Sequence, residues 1–265
     1  PIGPPIFEWI IGRVLSKKII FDFDDAIWLP NTSEHNKLVA SIKWHQKTEK
    51  ICSWSYKVSC GNQYLANYAK QFNRDVVVNP TTIDTVHLHN RTIDYAIDHV
   101  VIGWTGTHST IHYLDGVISV LAELEQKYLF DFIVISNVRP NIHLQSLRYI
   151  PWSKDSEIQD LCKMNIGIMP LEEDQWAEGK CGFKGLQYMS LGIPAVMSPV
   201  GVNREIIQSG HNGFLAKNKQ EWKDTLEKLI QDKSLRKQIG CAGKETIDKR
   251  YSALSNQDNF ISLFD

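Results

Sequence analysis

The chain has 265 residues, 43% of them hydrophobic and 22% charged, the make-up of a globular protein able to bury one large or two small cores. A formal net charge of -1 gives no general attraction to nucleic acid. The cysteines Cys52, Cys60, Cys162, Cys181 and Cys241 lack CxxC spacing, and no apolar run approaches the roughly 18 residues of a membrane span, so a disulfide framework, a zinc site and a transmembrane protein are all disfavoured. A reducing, cytoplasmic compartment is expected.

Pro1 to Pro5 is no signal peptide, and the absence of an initiator Met reads as a fragment. A helix is expected over Ile6 to Val14, with Ile6, Ile10 and Val14 on one side. Ile19 to Phe23 is an apolar strand running into Asp22, Asp24 and Asp25. Acids at a strand's end bind a metal, act as a base or cap the next segment, and the residue types leave these open. Asn36 to Trp54 is helical in pattern, with Leu38, Ile42, His45 and Ile51 loosely periodic. Tyr56 to Cys60 follows as a strand, Tyr64 to Ala69 as a helix, and Asp75 to Asp84 as a strand and connection, with a domain boundary after Asp84.

His99 to Trp104 opens a second series: strand, a glycine turn over Gly103, Gly106 and Thr107, then a helix with Leu114, Val117, Ile118, Leu121 and Leu124 as its apolar face. Strands over Phe130 to Ile135, Tyr149 to Pro151 and Ile166 to Met169 alternate with a helix over Ser156 to Met164, the βαβ order of a mostly parallel sheet. The turn lacks full Gly-x-Gly-x-x-Gly spacing, which argues against a nicotinamide dehydrogenase. Trp152, directly after a strand, reads as plain core. His108 and His112 have metal-like helical spacing without a third ligand, and His87 and His89 are expected to be exposed. Glu221 to Tyr251 forms two charged helices anchored by Trp222, Leu226, Leu229, Ile230 and Leu235, and a tail follows.

The stretch from Trp176 to Glu205 is the densest in chemical signals. Lys180, Lys184 and Gln187 fall at i, i+4 and i+7, so a short helix would carry two cations and an amide on one face, with Phe183, Leu186 and Ser190 turned inward. Gly179 and Gly182 let backbone approach a ligand at that helix's N-terminus, whose unpaired amides suit an anion. A solvated charged face is the alternative. Gly192 and Pro194 stop the helix, Ala195 to Met197 is a strand, and Ser198 to Gly201 a turn. In open α/β sheets ligands sit outside the carboxyl ends of strands, where Gly201 and Val202 would lie. Cys181 beside Lys180 is thiolate-prone by position but lacks an orienting dyad.

These residues resemble the donor-binding segment of GT-B fold glycosyltransferases of family 4, also called glycosyl transferase group 1. There a Glu-x7-Glu element precedes a strand like Gly192 to Met197, then a glycine turn, a Glu and a Gly-x-x-Gly segment like Gly210 to Gly213. Alignment puts Gly179 and Gln187 where the two glutamates belong, and a subset of such enzymes carries a run like Gly179-Lys180-Cys181-Gly182-Phe183-Lys184. Gln187 retains donor and acceptor atoms for a ribose hydroxyl, and the displaced Glu178 is a candidate to read the sugar.

The resemblance implies an α/β protein of GT-B type: a Rossmann-like C-terminal domain with a parallel sheet over 85–250, a partial N-terminal Rossmann-like domain over 1–84, and a tail over 251–265 packing back on it. It implies transfer of a sugar from a nucleotide-sugar donor, with retention of configuration, to a glycan or lipid-linked acceptor in bacterial polysaccharide biosynthesis. No cofactor and no divalent metal are expected. Asp24 and Asp25 would face the acceptor or reacting sugar. Gly103, Gly106, Thr107, Trp152, Lys180, Lys184, Gln187, Gly201 and Val202 would line the donor, with Lys180 and Lys184 at its phosphates. Peripheral association with the inner face of the membrane follows from a lipid-linked acceptor. A non-catalytic sugar-nucleotide-binding module and a GT-B epimerase remain the alternatives.

Overall fold

The computed structural model describes residues 4–29, 47–96 and 98–265, so Leu38, Ile42 and His45 of the expected helix lie outside the described residues. Two units are present: Pro1–Thr81 with Glu173–Cys181 and Asn256–Asp265, and Thr82–Glu172 with Gly182–Ser255. The segment 173–181, which the sequence reading assigns to the second domain, is thus part of the first unit.

In the first unit, β1 (Ile20–Phe23), β2 (Lys57–Cys60) and β3 (Val76–Val78) form a parallel sheet in that order. Helices Lys47–Trp54 and Gln63–Ala69 are the crossovers that parallel strands require. Phe23, Cys52, Val58, Cys60, Leu65, Ala66 and Cys181 build its core. At the chain's beginning, an α-turn Ile6–Trp9 passes into a π-helix Ile10–Val14. Ile6, Ile10 and Val14 are exposed there. The end of the chain joins this unit through hydrogen bonds from Asn259 Nδ2 to Val78 O and from Lys57 Nζ to Ser262 O.

The second unit holds six parallel strands: β4 (Val100–Gly106), β5 (Phe130–Ser136), β6 (Leu147–Pro151), β7 (Ile166–Met169), β8 (Ala195–Met197) and β9 (Phe214–Leu215). Their spatial order is β6-β5-β4-β7-β8-β9, the doubly wound arrangement that reverses direction between β4 and β7. β4 and β5 are buried nearly throughout, as expected of strands covered on both faces. Helix Asp115–Leu124 covers one face with Val117, Val120, Leu121 and Leu124, and helix Phe183–Ser190 meets the other with Leu186, Tyr188 and Met189. The C-terminal helices Lys219–Gln231 and Lys233–Thr246 are capped by Asn218 and Asp232, which accept from Glu221 N and Leu235 N. Buried Arg236 donates to Leu229 O and Ile230 O, satisfying carbonyls that the end of the first of these helices leaves open.

β4 and β7 pair only at Ile102–Ile166 and Gly103–Gly167. Beyond that point Tyr188, fully buried, places its hydroxyl between the strands, accepting from Thr105 N at 3.0 Å and donating to Ile168 O at 3.4 Å. Gly167 makes room for its ring, because a Cβ there would lie 2.4 Å from Tyr188 Cγ. Tyr188→Phe leaves the buried Thr105 amide unpaired, a loss of about 1–3 kcal/mol. Urea denaturation is expected to show that loss as a lower midpoint at unchanged slope.

Candidate donor site at the carboxyl ends of the second sheet

β4 extends two residues further than the pattern His99 to Trp104 suggests, so Gly103 is strand interior rather than turn. It is buried against Met164, and a Cβ at that position would overlap the methionine's Sδ at 2.2 Å. Gly106 ends the strand and the turn begins at Thr107. Thr107 N donates to Thr110 Oγ1, its hydroxyl meets Ser109, and His108 N donates to Asn137 Oδ1 in the loop after β5. These side-chain bonds hold the loop in a shape that the glycine spacing alone does not specify.

After β8, Ser198 Oγ accepts from Leu171 N in the loop after β7, and Asn203 Nδ2 donates to Ser198 O. Gly201 ends the expected turn with a left-handed φ of +52°, while the Val202 side chain is buried in the apolar core. Gly182 precedes helix Phe183–Ser190 with φ +72° and gives the first amides no side-chain cap. A Cβ at 182 would lie 2.5 Å from Ile206 Cδ1, so only glycine combines this backbone with this packing.

That helix starts at Phe183, and this corrects the expected cationic face. Lys180 precedes the helix and belongs to the first unit, whereas Lys184 lies in its first turn in the second. Lys184 Nζ sits 5.4 Å from the centre of the Trp104 ring. Phe183 is 48% exposed rather than turned inward, while Leu186 and Ser190 are buried as expected. Gln187 is only 3% exposed; its Nε2 lies 3.5 Å from both His89 Nε2 and Glu157 Oε1. Trp152, 45% exposed, is not core, and its Nε1 donates to the same Glu157 oxygen at 3.1 Å.

His89 is buried rather than exposed, and desolvation holds its imidazole pKa below the usual 6.5, against the attraction of Glu157 and Asp84. The sequence pattern places His89 at an exposed domain boundary and does not single out Glu157, whose one local signal is its spacing from Trp152 across a helix start.

In the first unit, Asp24 is exposed and Asp25 half-buried just past the end of β1, and Glu178 closes the short helix Gln175–Glu178 capped by Asp174. Asn62 donates through Nδ2 to Gly179 O and Lys180 O, both at 3.1 Å, and accepts from Leu65 N. Cys181 Sγ donates to Asp24 O at 3.1 Å. A Cβ at Gly179 would lie 2.7 Å from Ala26 Cβ, so the glutamate that the family places here has no room. Burial pushes the Cys181 thiol up to about 12, which makes it an inert structural thiol and not the thiolate suggested by its lysine neighbour. Among the described residues, no three His, Cys, Asp or Glu side chains gather as a metal site.

The parallel sheets and their order give the fold of the GT-B glycosyltransferases. Residues 144–246 match the family described as glycosyl transferases group 1. The chain is similar to sucrose-phosphate synthase from Thermosynechococcus elongatus, at 11% identity and TM-score 0.70 over 98% of this chain and 72% of that one. It is also similar to HepE from Anabaena, determined with UDP and glucose, at 15% identity and TM-score 0.72 over 95% and 73%. TarM of S. aureus matches at 12% identity and TM-score 0.73 over 94% of this chain, which spans 50% of TarM. A search of curated protein sequences gave no match.

Native protein treated with a thiol reagent at pH 8 is expected to label exposed Cys241 first and to leave buried Cys52, Cys60 and Cys181 unlabelled until denaturant is added. Peptide mapping by mass spectrometry identifies the labelled thiols; early labelling of Cys181 would contradict its assignment as buried and protonated.

Proposed function

We propose that this chain carries the donor-binding part of a retaining glycosyltransferase that moves a sugar from a nucleotide-sugar to an acceptor. The observation that carries the reading is the uncapped helix start at Gly182 with Lys184 in its first turn, within the segment that matches the group 1 family. A helix N-terminus presents amide donors and the positive end of its dipole, and a lysine adds a full charge. Together they suit a diphosphate, and they stabilise it most as it leaves with growing negative charge. Cations and amides then do the work of a divalent metal, and no cofactor is invoked.

The loops after β4, β6 and β8, with Gly106, Thr107, Trp152 and Gly201, serve the remainder of the nucleotide in this reading. HepE was determined with UDP and with UDP-glucose, which makes UDP the first nucleotide to test. Asp24, Asp25 and Glu178 of the first unit are assigned to the acceptor and reacting sugar, and Lys180 supplies a further cation. The acceptor class is a glycan or a lipid-linked saccharide handled at the cytoplasmic face of a membrane. This rests on the family resemblance; among the described residues no helix is long and apolar enough to cross a bilayer. The departure at Gly179 and Gln187 favours a second reading, a module that binds the sugar nucleotide without turnover.

Calorimetric titration with UDP, GDP and ADP at fixed salt is expected to show binding of one of them. Lys184→Ala should weaken it about tenfold or more, the size of one charge-assisted hydrogen bond, and adding Lys180→Ala should weaken it further. Absence of binding by the wild type would sink the donor-site reading. With a donor and acceptor extract, Asp24→Asn and Asp25→Asn are expected to lower turnover while nucleotide affinity stays within about twofold. Binding without any turnover by the wild type would support the module instead.

A further inference from the structure

Four side chains of the second unit form a connected polar chain that the family motif does not contain. Trp152 Nε1 donates to Glu157 Oε1 at 3.1 Å, and Gln187 Nε2 stands 3.5 Å from the same oxygen. The other Gln187 hydrogen faces His89 Nε2, also at 3.5 Å. The carboxylate oxygen can only accept, so the Gln187 amide turns its nitrogen, not its oxygen, toward Glu157. His89 Nδ1 is buried with no partner among the described residues.

This arrangement holds Glu157 from two sides through one oxygen. Both contacts fall on Oε1, and the Glu157 side chain is half-buried. Trp152 directly follows β6 and Glu157 opens helix Glu157–Leu161, so the group stands at the carboxyl end of the sheet. Gln187 itself, 3% exposed and committed through its amide nitrogen, is poorly placed to meet a ligand with a donor. A carboxylate oriented by two N–H groups accepts a pair of neighbouring hydroxyls well, because each O–H donates to an anionic acceptor of fixed position.

From this geometry we infer that Glu157 reads the ribose diol of the nucleotide, and that Gln187 and Trp152 act as positioning residues that aim its carboxylate. The inference rests on the donor-site reading above. It moves the acid that the family motif would put on helix Phe183–Ser190 to a different element, the start of the helix after β6.

The test is calorimetry with whichever of UDP, GDP and ADP binds the wild type, beside its 2′,3′-dideoxy counterpart. The wild type is expected to prefer the ribonucleotide about tenfold or more, the worth of one hydrogen bond to a charged group. Glu157→Ala should lose that preference by weakening the ribonucleotide alone, with the dideoxy affinity unchanged within about twofold. Glu157→Gln, which keeps the shape and removes the charge, should fall between, and it replaces the alanine variant if thermal melting shows that one unfolded. Trp152→Phe should reduce the ratio in the same direction. Equal weakening of both nucleotides, no effect on either, or no ribose preference in a wild type that binds both would overturn the role of Glu157 and leave the donor site standing. A wild type that binds no nucleotide would overturn both.

Discussion

Between β4 and β7 the ladder stops after Gly103 and Gly167, and the next amide and carbonyl, Thr105 N and Ile168 O, both turn to the buried hydroxyl of Tyr188. Where a parallel sheet reverses its winding direction the connections of two neighbouring strands run opposite ways, and here the two strands also part, which leaves polar backbone to be satisfied. Here a phenol from helix Phe183–Ser190 satisfies both groups at once. The same residue therefore opens the strands and fixes the helix over them. Gly167 is the steric condition, since its missing side chain is the space that the ring fills.

Once Tyr188 locks that helix, its neighbours in sequence acquire fixed tasks. One turn earlier, Lys184 and the uncapped start at Gly182 come to the strand ends. Gln187, one residue before the tyrosine, is carried into the interior, where its amide meets His89 and Glu157. A glutamate at 187 would place a second carboxylate against Glu157, a repulsion between like charges at close range. Gln187 is thus compatible with Glu157, and the departure from the family's acidic pair has a local electrostatic reason on one side and a steric one, Gly179 against Ala26, on the other.

The first unit follows a different rule. Its chain is discontinuous in sequence, and the join is made by few groups with high specificity: Asn62 caps its own helix and also grips the carbonyls of Gly179 and Lys180, while Cys181 fills the space above Gly61 and bonds Asp24 O. Buried polar groups of this kind cost free energy unless fully paired, so they define one arrangement rather than many. The desolvated Cys181 thiol belongs to the same pattern, kept in its neutral form by burial.

The alternation of strands and helices, the apolar faces of Asp115–Leu124 and Lys219–Gln231, the glycine turn at Gly201 and the resemblance over Trp176 to Glu205 were legible in the sequence, because hydrophobic periodicity and turn chemistry act between residues close along the chain. What local pattern could not decide was the division of one motif between two units, with Lys180 on one and Lys184 on the other, since a three-residue shift in a helix start looks the same to any periodic template. Nor could it show that Trp152 stays exposed while His89 is buried, or that Glu157 meets Gln187 from 30 positions away. Those facts depend on which strands lie side by side, and the order β6-β5-β4-β7-β8-β9 is set by packing between segments distant in sequence, where only the tertiary structure brings the groups together.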